Sequence, residues 1–216
     1  MTFDPWILLL MLLVFGVSVG VFVAHVMRWT RNPWWFGLRE WATRNEFAIH
    51  GERRAAVPMP LAGLTLPPPV ALVSLEGRRT AILQMGTPAP VADPSGGAPP
   101  VPRLWNVLVR EIDADWPPTA LRPVWSEQSL VDLLGLTSFP ALLASERFTE
   151  WGTDPSAARA LAKSHVAALL PKDVGLILHG RRLVLDFSGR AFDGIELSRA
   201  LGLAEQVVAH LPVRGR

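Results

Sequence analysis

Ile7 to Met27 reads ILLLMLLVFGVSVGVFVAHVM, twenty-one residues without a formal charge when His25 is neutral. As a helix rising about 1.5 Å per residue it would span roughly 30 Å, the thickness of a hydrocarbon core. A helix is also the conformation that satisfies every peptide group internally, as lipid demands. A cleaved signal would carry a basic start and a small-x-small site. The start here is MTFDP, with Asp4 and no Lys or Arg, and no A-x-A follows the apolar run. A buried core helix would need a larger and less Pro-rich protein to cover it. The stretch therefore predicts a retained transmembrane helix over 7–29, with residues 1–6 outside.

The flanks give the orientation. Arg28, Arg31 and Arg39 follow the span, and nothing basic precedes it except the terminal amine. Positive residues stay cytoplasmic, so the expectation is an N-terminus outside a bacterial inner membrane and a cytoplasmic soluble domain. Trp6, Arg28, Trp29, Arg31, Trp34 and Trp35 are the expected interface residues. Gly16, Gly20 and Ala24 recur every four residues, a spacing that lets two membrane helices approach closely. They predict a self-association face, with the lipid bilayer, a second copy of this chain and another membrane protein as the partners implied.

About 180 residues remain, enough for one domain with its own core. The chain has no cysteine, which excludes disulfides and thiolate metal sites, and a net charge of only +2. Six arginines between Arg28 and Arg54 face Glu40, Glu46 and Glu52, a juxtamembrane surplus that suits an anionic lipid surface. No basic stripe interleaved with aromatics points to nucleic acid.

Asn32-Pro33 is a helix start for 32–46, with Trp34, Leu38, Trp41 and Ala42 on one face. This helix either packs on the soluble core or lies in the membrane interface. The domain proper is expected over 47–212. Val70 to Gly86 reads as a hairpin turning at Glu76-Gly77-Arg78. Residues 87–102 hold six prolines and two glycines, an exposed loop between strands. Arg103 to Ile112 reads as a strand, Asp113 to Pro118 as a turn, and Leu121 to Trp125 as a short extended piece. Ser126 caps a helix ending at Gly135, and Glu146 to Gly152 reads as a strand. Asp154-Pro155 opens a helix running to Leu170, with His165 on its apolar stripe. Val174 to Phe187 reads as a second hairpin turning at Gly180-Arg181, and Asp193 to Glu196 as a capping box for a last helix ending at Pro212. Strands in hairpins with irregularly placed helices predict an α+β class: one N-terminal transmembrane helix, then a single domain with a mostly antiparallel sheet and helices on one face.

From about Leu121 onward, Leu121-Arg122-Pro123, Leu134-Gly135, Ser145-Glu146-Arg147-Phe148, Thr153-Asp154, the Ala-rich helix and the hairpin around Gly180 resemble a bacterial membrane-anchored domain of unknown function. The resemblance implies a bacterial membrane-tethered module and no activity.

The chemistry-bearing residues do not assemble into a motif. No two of His25, His50, His165, His179 and His210 stand at metal-ligand spacing, and no nucleotide-binding glycine loop or G-x-S-x-G is present. His50 pairs with Glu52 only as a surface couple. Ser188-Gly189 beside Asp186 reads as a strand-ending turn. The expectation is no catalytic, cofactor or metal site and a membrane-tethered interaction or scaffold module. Two rivals stand beside it. One is a small-ligand receptor or enzyme built near His165 or the Asp113/Asp115 carboxylates. The other is a lipid-sensing role for the Trp34–Trp41 helix.

Overall fold

The computed structural model describes residues 33–51, 70–86, 104–126, 129–139 and 146–212, together with residue 18. The chain divides into two compact units, Met1–Trp41 and Ala42–Arg216. Among the described residues no helix is long and apolar enough to cross a membrane. Ile7–Met27, apart from Ser18, lies outside those residues, and so do Trp6, Arg28, Trp29, Arg31, Gly16, Gly20 and Ala24. Helix α1, Pro33–Arg44, forms where Asn32-Pro33 predicts it. Its Leu38, Trp41 and Ala42 are buried while Gly37, Arg39 and Glu40 are exposed, the expected one-faced pattern. The side chains of Trp34 and Trp35 are outside the described part.

The second unit is α+β, with a mostly antiparallel sheet. Strand β1 is Ala48–Gly51, and β2 (Val70–Glu76) and β3 (Thr80–Gly86) form the expected hairpin. Its turn is closed by the Gly77 N–H donating to the Thr80 carbonyl at 2.8 Å. Strand β4, Leu104–Pro123, runs for 20 residues. A 3-10 turn at Leu130–Leu133 and a short β5, Thr137–Ser138, precede β6, Phe148–Gly152. Helices α2 (Pro155–Lys163) and α3 (His165–Leu169), strand β7 (Gly175–Asp186) and helix α4 (Gly194–His210) complete the fold. Asp193 caps α4 by accepting from Ile195 N–H and Glu196 N–H. The strand order is β1-β2-β3-β4-β6-β5, with β7 also paired to β4.

The organising feature is the β4–β7 ribbon. Asp113 to Pro118 is not a turn between two strands, because β4 continues through it. Val174 to Phe187 is not a hairpin either. Both arms of β7 pair antiparallel with β4, Arg182–Asp186 against Val107–Glu111 and Leu176–Leu178 against Thr119–Leu121. Between those arms the ribbon turns a corner. From Glu111 to Thr119, β4 takes eight residue steps while β7 takes four from Arg182 to Leu178. The surplus residues bulge out of β4 and let it take the outer path, the usual way a sheet edge is bent. Gly180, opposite Trp116, has φ of +57°.

The corner also reverses the inside-outside phase. Val109 and Ala120 of β4, and Ile177 and Val184 of β7, belong to one core cluster with Leu83, Met85, Trp105 and Val107. Each of those pairs is an odd number of residues apart. In an unbroken strand its members would point to opposite faces. A straight 12-residue strand would be about 40 Å long. Instead the ends of β7 meet: a Cβ on Gly175 would lie 3.4 Å from the Cβ of Asp186.

Leu130 and Val131 of the 3-10 turn enter this inner cluster. That turn is capped by Ser129 and Asp132, so the helix expected from Ser126 shortens to four residues. The other side of β7, through Leu185, faces α4 at Ala200 and Leu203. The helix expected from Pro155 to Leu170 divides in two, because Ser164 is extended, with φ −75° and ψ 163°. Secondary elements therefore cover both sides of the folded sheet.

Candidate functional site

The candidate site lies where the two ends of the ribbon meet. Asp173 stands just before β7 and Arg190 just after it. The Arg190 guanidinium donates from Nε and Nη2 to the two Asp173 oxygens, each at 2.8 Å. Its Nη1 donates to Glu196 at 3.2 Å. This bidentate fork closes the ribbon like a clasp, a geometry that Arg holds and Lys cannot. Arg190 holds the Asp173 carboxyl below the usual carboxylate range through that hydrogen bond.

Beneath the clasp, Asp186 ties β7 to the segment after β4. Its Oδ2 accepts from the Leu130 N–H at 2.7 Å and from the Ser129 hydroxyl at 3.3 Å. Its Oδ1 accepts from the Ser188 N–H at 3.2 Å and from the Ser188 hydroxyl. Burial pushes the Asp186 carboxyl up, against the pull of those hydrogen bonds. Asn106 fixes the same turn from the other strand, donating from Nδ2 to the Arg190 carbonyl at 2.7 Å. Asp186 and Ser188 are thus held in structural bonds, in line with the strand-ending turn expected there.

Two concavities flank the clasp. A groove of about 460 Å³ is lined by Leu104, Trp105, Trp125, Ser126, Lys172, Asp173, Ser188 and Gly189. Across the clasp, a cavity of about 230 Å³ has Val174, Leu185, Phe187, Ala200 and Leu203 on its walls, with Arg190, Glu196 and Arg199 beside them. At the groove, Trp125 is 75% exposed and Leu104 48%. Arg122 presents this turn outward. It donates to the carbonyls of Pro123 and Ser126 at 3.0 and 3.1 Å and to Asp132 Oδ2 at 3.0 Å.

The residues singled out in the sequence lie elsewhere. Asp113 is exposed at the corner and paired with Arg79 at 2.7 Å and with Arg181 at 3.6 Å. The Arg79 hydrogen bond holds its carboxyl below the usual range. Asp115 is exposed beside Gly180. His165 is exposed rather than part of a core stripe, because the break at Ser164 turns it out. His50 lies 3.5 Å from Glu76, and Glu52 is outside the described residues. His179 is exposed beside the corner. Sequence reasoning missed Trp125, the buried anchoring role of Asp186 and the Asp173–Arg190 clasp. Only Asp186 carried a signal: a carboxylate between Val184-Leu185 and Phe187 must find hydrogen-bond partners if that run is buried.

The clasp predicts an acid-sensitive contribution to stability. Asp173 is more acidic folded than unfolded, so the unfolded chain binds more protons as pH falls. The contribution is complete above the ordinary Asp pKa of about 3.9 and disappears as pH drops through the lower folded value. The pair is partly solvated, so its worth is about 1 kcal/mol. The stability gap between wild type and Arg190→Ala, measured by urea unfolding, should therefore narrow between pH 7 and pH 3. A gap that stays constant would show that Arg190 acts through packing alone.

No family model matches the sequence, and no curated protein matches it. Among solved structures, the chain is similar to the crystal structure of the mycobacterial trehalose monomycolate transport factor A, TtfA, at 11% identity and a TM-score of 0.53. The likeness covers 82% of this chain and 96% of that one, and so extends well beyond the C-terminal half in which the sequence resemblance lies. At that identity it is a likeness of fold: an α+β domain with a mostly antiparallel sheet, shared with a transport factor.

Proposed function

We propose that this chain is a membrane-tethered binding module whose soluble domain engages a protein partner through the groove beside the clasp. Ile7–Met27 is its anchor, with the N-terminus outside and the domain on the cytoplasmic side. The observation that carries the binding role is the gathering of exposed Trp125 and Leu104 at one groove. Exposed apolar patches rimmed by polar groups mark interaction surfaces, and Trp is among the residues most enriched in binding hot spots. Lys172 and Asp173 supply the polar rim. The fold likeness to a transport factor supports an accessory role in a membrane transport assembly. The apolar anchor and its arginine flank support the membrane location.

The test is a photo-crosslinking residue placed at position 125 of the full chain in intact membranes. A discrete adduct is expected at 125 and not at exposed Ala209, on helix α4. Trp125→Ser should reduce recovery of that partner at least about fivefold, the loss of roughly 1 kcal/mol that defines a contributing contact. Equal recovery with Trp125→Ser would sink the groove as the binding surface. Reporter fusions at the C-terminus should behave as cytoplasmic, and activity of a periplasmic reporter there would reverse the topology.

A further inference from the structure

The fold brings together two histidines that stand 45 positions apart in the sequence. His165 opens α3 and His210 closes α4, and their ring centroids are 4.9 Å apart with the planes tilted by 45°. Both residues are exposed, while their helices are anchored by buried neighbours: Val166 on α3, Ala204 and Val207 on α4. The two rings are thus held at the surface by packed backbone rather than by burial of their own. His210 Nδ1 lies 2.8 Å from the Gln206 carbonyl oxygen. A carbonyl can only accept, so Nδ1 is the protonated nitrogen and donates to it. That leaves Nε2 as the nitrogen with a lone pair. A backbone carbonyl fixing one ring nitrogen so that the other can ligate is an arrangement usual for metal-binding histidines.

We propose that His165 and His210 form a two-histidine surface site for a borderline divalent transition ion, of the Zn²⁺, Ni²⁺ or Cu²⁺ class. Imidazole pairs suit those ions, whereas Mg²⁺ and Ca²⁺ prefer oxygen ligands. His210 ligates through Nε2 and His165 through one ring nitrogen. Among the described residues no group of three or more His, Asp or Glu side chains gathers that could hold a metal. Water therefore completes the coordination sphere, leaving it open to exchange. The site is independent of the groove and clasp, and either proposal can fail without the other.

The test uses the full chain in detergent, without a histidine tag, titrated with Cu²⁺ and Zn²⁺ by calorimetry. One ion per chain is expected. His165→Gln and His210→Gln should each weaken affinity at least about tenfold, and His179→Gln should leave it unchanged. Because both residues are exposed, the variants should keep the wild-type circular dichroism. In a second readout, substoichiometric Cu²⁺ should broaden the imidazole proton signals of His165 and His210 and spare those of His50 and His179. No binding by the wild type, undiminished binding in either variant, or broadening spread evenly over all histidines would each overturn the proposal.

Discussion

Replacing Asp186 with Ala is expected to lower the unfolding free energy by about 3–5 kcal/mol, because it leaves several donors without an acceptor, at about 1–3 kcal/mol for each that is buried. The side chain is 4% exposed and serves four donors at once: the N–H groups of Leu130 and Ser188 and the hydroxyls of Ser129 and Ser188. Those donors come from the turn after β7 and from the 3-10 segment that puts Leu130 and Val131 into the core. Without the carboxylate, the buried Leu130 N–H and Ser129 hydroxyl lose their acceptor, and Ser129 also caps the 3-10 turn. Asp186→Asn keeps the shape but sets an NH₂ group against donors, so an intermediate loss of about 2 kcal/mol is expected. Ser188→Ala removes one hydroxyl near the surface and should cost about 1 kcal/mol. Equilibrium unfolding followed by tryptophan fluorescence ranks the three. An Asp186→Ala loss below about 1 kcal/mol, the net worth of one ordinary hydrogen bond, would mean that the segments around it are held by apolar packing alone.

How much of this was legible in the sequence follows from the range of each interaction. Local signals read well. The Gly77 turn, the Asp154 and Asp193 caps, and the Pro33 start of α1 all act within a few residues, and each lies where the sequence puts it. The corner did not read correctly. Asp113 to Pro118 and Gly180-Arg181 carry turn residues, and a turn normally reverses the chain into its own neighbour. Here each strand bends while keeping the same partner, a distinction set by pairing between residues as far apart as Val107 and Asp186. The phase reversal across Val109 and Ala120 falls where the sequence carries turn residues, and a turn signal does not say whether a strand reverses or bends. The helix division at Ser164 is likewise local in effect and invisible in pattern. The apolar periodicity runs on past it, yet Leu161 is buried and His165, four residues on, is exposed. The clasp and the His165–His210 pair depend on where separate elements come to rest. Neither Asp173-to-Arg190 nor His165-to-His210 spacing belongs to any local motif, so composition and periodicity could not have named them. Trp125 was read as the end of an extended piece, because exposure of a tryptophan has no sequence signature.

Gly180→Val is expected to destabilise the domain by about 2–3 kcal/mol, almost all of it backbone strain. Gly180 has φ of +57°, where an L-residue brings its Cβ too close to the following carbonyl, at roughly 1–2 kcal/mol, with more for a β-branched side chain. Space is not the obstacle, since the nearest atom to a Cβ there is Asp115 Oδ1 at 3.8 Å. Strain without collision predicts an order: Gly180→Asn costs least, because Asn tolerates the left-handed region, Gly180→Ala about 1 kcal/mol, and Gly180→Val most. A clash would instead rank them by volume and place Asn beside Val. The corner also predicts coupling at a distance. Gly180 lies midway along β7, and its bend is what brings Asp173 to Arg190. A Gly180→Val chain that relaxes the bend should therefore show a smaller penalty for Arg190→Ala than the wild type does, measurable as a double-mutant coupling of opposite sign to the single losses. Additive losses, with valine costing no more than alanine, would mean that the bend is maintained by the bulged β4 alone and that Gly180 merely accompanies it.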